Sequence, residues 1–505
     1  MPTETAEPGD AKAAVEAPAL PPWLAWLLIL GLGLGIWLWD GWLGRRPEPV
    51  PPWAWRLLAI FLPTVLALML RPIPGGAAVL LGLLAAVFFK ALPHANDGPK
   101  ELMEDALGGY RDPTVWLVLA AYFISRALIK TGLARRIALI FVRALGHNTL
   151  GLGYALAASD VVLAGMIPSN AARVGGVILP ITRSLCELYK SVPGRSAALL
   201  GTFLMLSLYQ CDVIACAMFI TGQASNVLAA DRAREVTEGM VTLHYGNWLL
   251  YASVPGLASL LLAPWLIYRW QKPGIRHTPE AAQVAREELS RMGRPGYAET
   301  LVLLVFLGVC AAWVLTGLLL DDGPDYTAAI ALSGVSVLLL SGVLTWHDCV
   351  SERGAWDVFI WYGGLVQLGK FLDKGGLTTV FAKSVTDSLE SLPLLGLFLV
   401  TLIIYFYAHY GFASITTHVL AMYPAFVGVL LVRGAPPWLT AVSFACFSNL
   451  CAGLTHYGTT PAPIIFSAGY ASQGTWWRVG LVMSLVNFAV WLSAGVLWWK
   501  LLGLW

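Results

Sequence analysis

The chain has 505 residues, of which 57% are hydrophobic and 12% charged, with 22 Trp and a formal net charge of +2. This composition excludes a soluble globular protein, and the near-neutral charge argues against a nucleic-acid partner. Repeated apolar runs of about 20 residues predict an all-α polytopic membrane protein with about 11 transmembrane helices.

Residues 1–21 are polar, Ala/Pro-rich and acidic, unlike a cleavable signal peptide, and are expected to form a disordered cytoplasmic tail. Spans are predicted over 24–39, 55–70 and 75–89, with Trp and Pro as interface punctuation, then a polar loop over 93–112 and a span over 113–128. Residues 135–143 carry Arg135, Arg136 and Arg143 at helical spacing and are expected to lie on the membrane surface.

A hairpin follows over about 148–189. At its centre Pro168, Ser169, Asn170, Ala171 and Arg173 interrupt apolar sequence. Lipid cannot satisfy free backbone groups, so such a turn must be buried in protein or line a wet cavity. An arginine at that depth costs roughly 2.5–3.5 kcal/mol on insertion scales, which argues for a use. The apolar stretch 197–230 is too long for one span and is interrupted at 221–226, which predicts a broken helix. A span over 248–268 closes this first unit, 22–268. The basic segment 269–297 reads as a cytoplasmic linker, which places the N-terminus in the cytoplasm. The pair Arg45-Arg46 then falls on the outside, against the charge rule.

The second unit, 298–505, repeats the plan. Spans over 301–320 and 328–344 flank an acidic loop at 321–325; 356–372 mirrors the span over 113–128, and 376–390 mirrors its surface helix. A hairpin over about 392–432 has its tip at Ser414, Ile415, Thr416 and His418; a broken helix covers 438–470, interrupted at 457–463; and 476–502 is the last span. Ser169 and Ser414 lie 245 positions apart, as do Arg173 and His418, while Pro180 and Pro424, and Lys130 and Lys374, lie 244 apart. Counted from a cytoplasmic N-terminus, the two hairpins enter from opposite sides. Inverted-topology repeats, each with a re-entrant hairpin and a broken helix, are the architecture of secondary transporters that bind at the midplane.

Each helix break frees N–H groups with partial positive charge, a ready anion site. Ser169, Asn170, Ser414 and Thr416 add donors, Arg173 and His418 add cationic character, and Thr221, Asn226, Thr459 and Pro461 mark the breaks. Two donor clusters facing each other suit a molecule with a carboxylate at each end. Asp160 and Asp212 also sit in apolar sequence, as structural partners of an arginine or as proton sites, and Tyr209 and Gln210 are weaker candidates. No motif points to a metal or cofactor; the seven Cys have neither metal nor redox spacing and read as small core residues.

On these residues the sequence resembles the divalent anion:sodium symporter (INDY-type) family, Ser169-Asn170-Ala171 and Ser414-Ile415-Thr416 being similar to its two signatures. Pro168-Ser169-Asn170 with Ala172-Arg173 and Gly175-Gly176, Phe412-Ala413-Ser414 with Thr416 and His418, and 454–463 resemble the exchanger branch, the 2-oxoglutarate/malate translocators and citrate- or tartrate/succinate antiporters. The resemblance implies a homodimer in the bacterial inner membrane, a scaffold domain, and a transport domain that moves elevator-fashion and takes substrate at the tips and breaks. It implies transport of small dicarboxylate anions of the 2-oxoglutarate, malate and succinate type. Ala171 and Ile415 depart from the signatures: one loses a hydroxyl and the other cannot ligate sodium. Arg173 and His418 stand beside the expected sodium sites as fixed counter-charges, which predicts sodium-independent exchange, because an empty carrier with uncompensated charge would cross poorly. The alternative is a sodium- or proton-coupled symporter using Asp160 and Asp212. An enzyme is disfavoured by the lack of His-Glu-x-x-His or Gly-x-Ser-x-Gly, and a channel by the paired tips and breaks.

Overall fold

The computed structural model describes residues 21–43, 47, 50–94, 98–319, 326–377, 380, 392–412 and 414–505. The expectations for the tail 1–20, for Arg45-Arg46, for the acidic loop 321–325, for most of 376–390 and for Ala413 lie outside the described residues. The chain runs through α1 (Pro22–Leu43), α2 (Pro52–Leu70), α3 (Gly75–Phe88), α4 (Pro99–Ala106), α5 (Pro113–Lys130), α6 (Leu133–Leu145) and α7 (Thr149–Ala164). A wide-turned segment, Ala171–Ile178, continues into α8 (Leu179–Leu188), followed by α9 (Gly201–Met218), α10 (Ala224–Val236), α11 (Tyr245–Gln271) and α12 (Pro279–Met292). The second half holds α13 (Tyr297–Leu319), α14 (Thr327–Leu340), α15 (Trp346–Ser351), α16 (Arg353–Lys374), α17 (Leu394–Ala408), α18 (Ile415–Val432), α19 (Pro437–Leu450), α20 (Pro461–Phe466), α21 (Gln473–Val490) and α22 (Val496–Leu501). Among the described residues 10 helices are long and apolar enough to cross a membrane, and three shorter apolar helices, α3, α7 and α14, accompany them.

Several local expectations are corrected. The polar region 93–112 is not all loop: Pro99 opens α4, where its missing N–H costs nothing, and a tight turn covers Gly108–Arg111. Residues 135–143 belong to α6, on which Arg136 turns inward while Arg135 and Arg143 are exposed. Arg136 is buried and reaches Glu299 at 2.9 Å, and Arg135 reaches Glu288 at 2.9 Å. Within the linker 269–297, α12 forms a helix packed against α6. A second wide-turned stretch, Trp491–Gly495, interrupts the last span.

The 18-residue stretch of α9 is buried along its whole length, which fits a helix apolar on every side, and α19 is nearly so. Around this centre α5 and α16 pack together in a reciprocal way. Lys130, at the end of α5, reaches Asp348 ahead of α16 at 2.6 Å, and Lys370, near the end of α16, reaches Asp112 ahead of α5 at 2.5 Å. The C-terminal end of each helix therefore lies beside the N-terminal end of the other, and the two run antiparallel.

Candidate substrate site

The first tip lies between α7 and the wide-turned segment. Ser169 accepts a hydrogen bond from the Ala172 amide at 3.2 Å, which closes the turn. Arg173 follows, fully buried, with every donor group engaged. Nε donates to Asp160 Oδ1 and Nη2 to Asp212 Oδ1, each at 2.6 Å, and Nη2 also lies 3.2 Å from Cys216 Sγ. Nη1 donates to the carbonyls of Ile167 at 3.1 Å and Gly222 at 2.9 Å. The picture of Arg173 as an uncompensated charge is thereby corrected. A buried guanidinium is stable only when paired, and α7 and α9 supply two carboxylates for it. Asp160 Oδ2 and Asp212 Oδ2 have no hydrogen-bond partner among the described residues.

The break between α9 and α10 folds back on itself. Asn226 Nδ2 donates to the carbonyls of Cys216 at 2.7 Å and Phe219 at 2.8 Å, satisfying groups that a continuous helix would have paired. The Thr221 hydroxyl donates to Gly165 at 3.0 Å and Ala164 at 3.2 Å, tying the break to the hairpin. Both side chains thus brace the break through these donors.

At the second tip Ser414 caps α18 by accepting from the Thr417 amide at 3.5 Å. Ile415 is buried, while Ser414 and Thr416 are half-buried. His418 is fully buried and donates Nε2–H to the Tyr405 carbonyl at 2.9 Å. The second break opens at Cys451, earlier than 457, with a tight turn over Cys451–Leu454 before Pro461 starts α20.

The two halves interlock at these points. Asn170 Nδ2 of the first tip donates to Thr459 Oγ1 of the second break at 3.0 Å, both buried. The wide-turned segment after the first tip packs on α20, and α18, after the second tip, packs on α10. Sequence did not single out Gln223 and Asn449, whose side chains bond across the two breaks, although Gln223 sits inside the interruption it marked. Tyr209 and Gln210 donate to the carbonyls of Ala452 at 2.5 Å and Gly453 at 2.9 Å, so they brace the second break. A cavity of about 120 Å³ lies beside Pro168 and Thr221, with Leu117, Val227 and Trp313 among its walls.

Residues 23–505 match the family described as the sodium:sulfate symporter transmembrane region. The chain is 41% identical over 480 residues to YflS of Bacillus subtilis (strain 168), provisionally named a malate transporter, covering 95% of this chain and 96% of that one. It is 40% identical over 467 residues to dicarboxylate transporter 1, chloroplastic, of Spinacia oleracea, covering 92% and 79%. A crystal structure of the Alcanivorax borkumensis YdaH transporter aligns with a TM-score of 0.47 at 14% identity, over 81% of this chain and 89% of that one.

Proposed function

Since this chain belongs to the sodium:sulfate symporter family, as the match over 23–505 and relatives at 41% and 40% identity show, we propose that it exchanges C4 and C5 dicarboxylates across a bacterial inner membrane without sodium. Relatives named as malate and dicarboxylate transporters support the substrate class. Ser169 and Asn170 at one tip and Ser414 and Thr416 at the other offer donors for two carboxylates, with the breaks at Thr221, Asn226, Thr459 and Pro461 around them. The contact from Asn170 to Thr459 is the observation that carries this reading, because it joins the first tip to the second break.

Sodium independence rests on which groups occupy the backbone carbonyls. A hard cation needs oxygen ligands. Arg173 N–H groups already engage the carbonyls of Ile167 before the first tip and Gly222 in the first break, and His409 and His418 engage those of Gly458 in the second break and Tyr405 in α17. Arg173 and His418 therefore act as fixed donors in the cation sockets. The antiparallel pair α5 and α16 supports inverted repeats, 22–268 and 298–505. On this reading access alternates by an elevator motion of the hairpins within a homodimer, with the N-terminus cytoplasmic.

The test uses purified protein in liposomes, with labelled 2-oxoglutarate, malate or succinate outside. Uptake should require internal dicarboxylate and be equal in sodium and potassium; uptake into empty vesicles driven by a sodium gradient would overturn the reading. Proton symport is the second reading, favoured by the unpartnered oxygens of Asp160 and Asp212. It predicts uptake into empty vesicles under a proton gradient, abolished in Asp212→Asn.

A further inference from the structure

Beside the second tip three fully buried side chains bring ligating atoms together. His409 lies in the turn His409–Gly411 ahead of the tip, His418 one turn after it, and Cys451 at the start of the second break. One ligating atom from each lies within 4.8 Å of the others. His409 Nε2 is 2.8 Å from the Gly458 carbonyl and His418 Nε2 is 2.9 Å from the Tyr405 carbonyl. A carbonyl only accepts, so each Nε2 carries a hydrogen and each Nδ1 presents a lone pair. His418 Nδ1 is 3.7 Å from Cys451 Sγ, and His409 Nδ1 has no partner among the described residues. Cys451 Sγ also lies 3.0 Å from the Ser448 carbonyl. One thiol hydrogen cannot serve that carbonyl and two imidazole lone pairs, and a buried acceptor left unmet is costly.

We propose that His409, His418 and Cys451 form a binding site for a thiophilic divalent cation, with Zn²⁺ as the fitting case. The donor set is two neutral imidazoles and one sulfur, which suits zinc and not sodium, magnesium or calcium. Backbone carbonyls on the far ring nitrogens fix both tautomers, the usual arrangement behind zinc-ligating histidines. Zinc–nitrogen and zinc–sulfur distances of about 2.0–2.3 Å require the three side chains to draw in by about 1 Å. On binding, the Cys451 thiol gives its proton to solvent and the thiolate takes the metal, leaving a fourth position for water. Sequence positions 409, 418 and 451 carry no zinc spacing, because the ligands come from three separate elements. Occupancy would join the turn before the tip, the helix after it and the second break, independently of what the protein carries.

The test is a cobalt titration of the purified full chain after chelator treatment. A thiolate-to-cobalt absorption band should saturate at one Co²⁺ per chain, be displaced by Zn²⁺, and be absent from Cys451→Ser that elutes as folded protein. X-ray absorption on the wild-type zinc form should find one sulfur and two imidazoles around the metal, a readout that needs no variant. No band in the wild type, an undiminished band in Cys451→Ser, or an oxygen-only shell around zinc would overturn the site and leave a hydrogen-bonded core cluster.

Discussion

The Arg173 guanidinium directs Nε and Nη2 at two carboxylates and Nη1 at two carbonyls, all in a region without solvent. Arg173→Ala should therefore strand Asp160 and Asp212 and cost about 3–5 kcal/mol, the usual cost of breaking a buried pair from one side. Asp212→Asn keeps an acceptor for Nη2 while removing one surplus negative charge, so its thermal midpoint in detergent should fall much less than that of Arg173→Ala; equal losses would contradict this account of the triad. The pairing could not be chosen from sequence, since Asp160 and Asp212 each fit two roles until α7 and α9 are placed beside Arg173. The Asn170–Thr459 bond gives a second residue-scale prediction. Asn170→Ala and Thr459→Val should each weaken dicarboxylate exchange, and their double-mutant cycle should show coupling of about 1 kcal/mol in apparent affinity. Additive effects would mean that the bond does not shape the site.

At the scale of elements, both breaks depend on glycine for close approach and not for an unusual φ. A Cβ on Gly222 would meet the Cys216 carbonyl oxygen at 2.6 Å, and one on Gly458 would meet that of Ala452 at 2.5 Å. In each case the chain doubles back over six residues onto rigid backbone, so Gly222→Ala and Gly458→Ala should each destabilise by about 1–3 kcal/mol, read as a lowered melting midpoint, and reduce exchange. Gly176, in the wide-turned segment after the first tip, has open space around its Cβ position, and Gly176→Ala should be tolerated. The tips and the first break were legible because Pro, Gly, Ser and Asn interrupt long apolar runs. The second break was placed late, because Cys451, Ala452, Gly453 and Leu454 are compatible with a continuing apolar helix by composition alone. The helix α12 and the inward face of α6 were hidden for the opposite reason: Arg136 looks solvated until it is seen buried against Glu299, and α12, charged along its length, reads as linker until it is seen packed on α6.

At the scale of the whole molecule, the reciprocal ion pairs join the two halves. Burial alone would raise the Asp348 carboxyl, but the Lys130 ammonium and the Thr345 hydroxyl and amide outweigh it and hold the group at about 2. Asp112 is likewise pushed up by burial, yet held below the ordinary range by Lys370 and Thr114. A carboxylate whose folded pKa lies below its unfolded value of about 3.9 contributes stability above that value, and loses it as pH falls towards the folded pKa. The difference in melting midpoint between wild type and Lys130→Met should accordingly be full at pH 6 and shrink between about pH 4 and about pH 2; a constant gap would remove the pair from the stability of the fold. One of the helices so joined, α5, also bears on movement. Leu117 on α5 and Val227 on α10 face one cavity beside Pro168 and Thr221. If the hairpins and broken helices travel as one body past α5, joining these walls must stop transport. Leu117→Cys with Val227→Cys, bridged by a short thiol-specific linker in liposomes, should lose exchange and recover it on reductive release with a cleavable linker, while each single variant stays active. Unimpaired exchange by the bridged protein would mean that α5 and α10 do not separate during the cycle, and that access alternates by a motion confined to the tips.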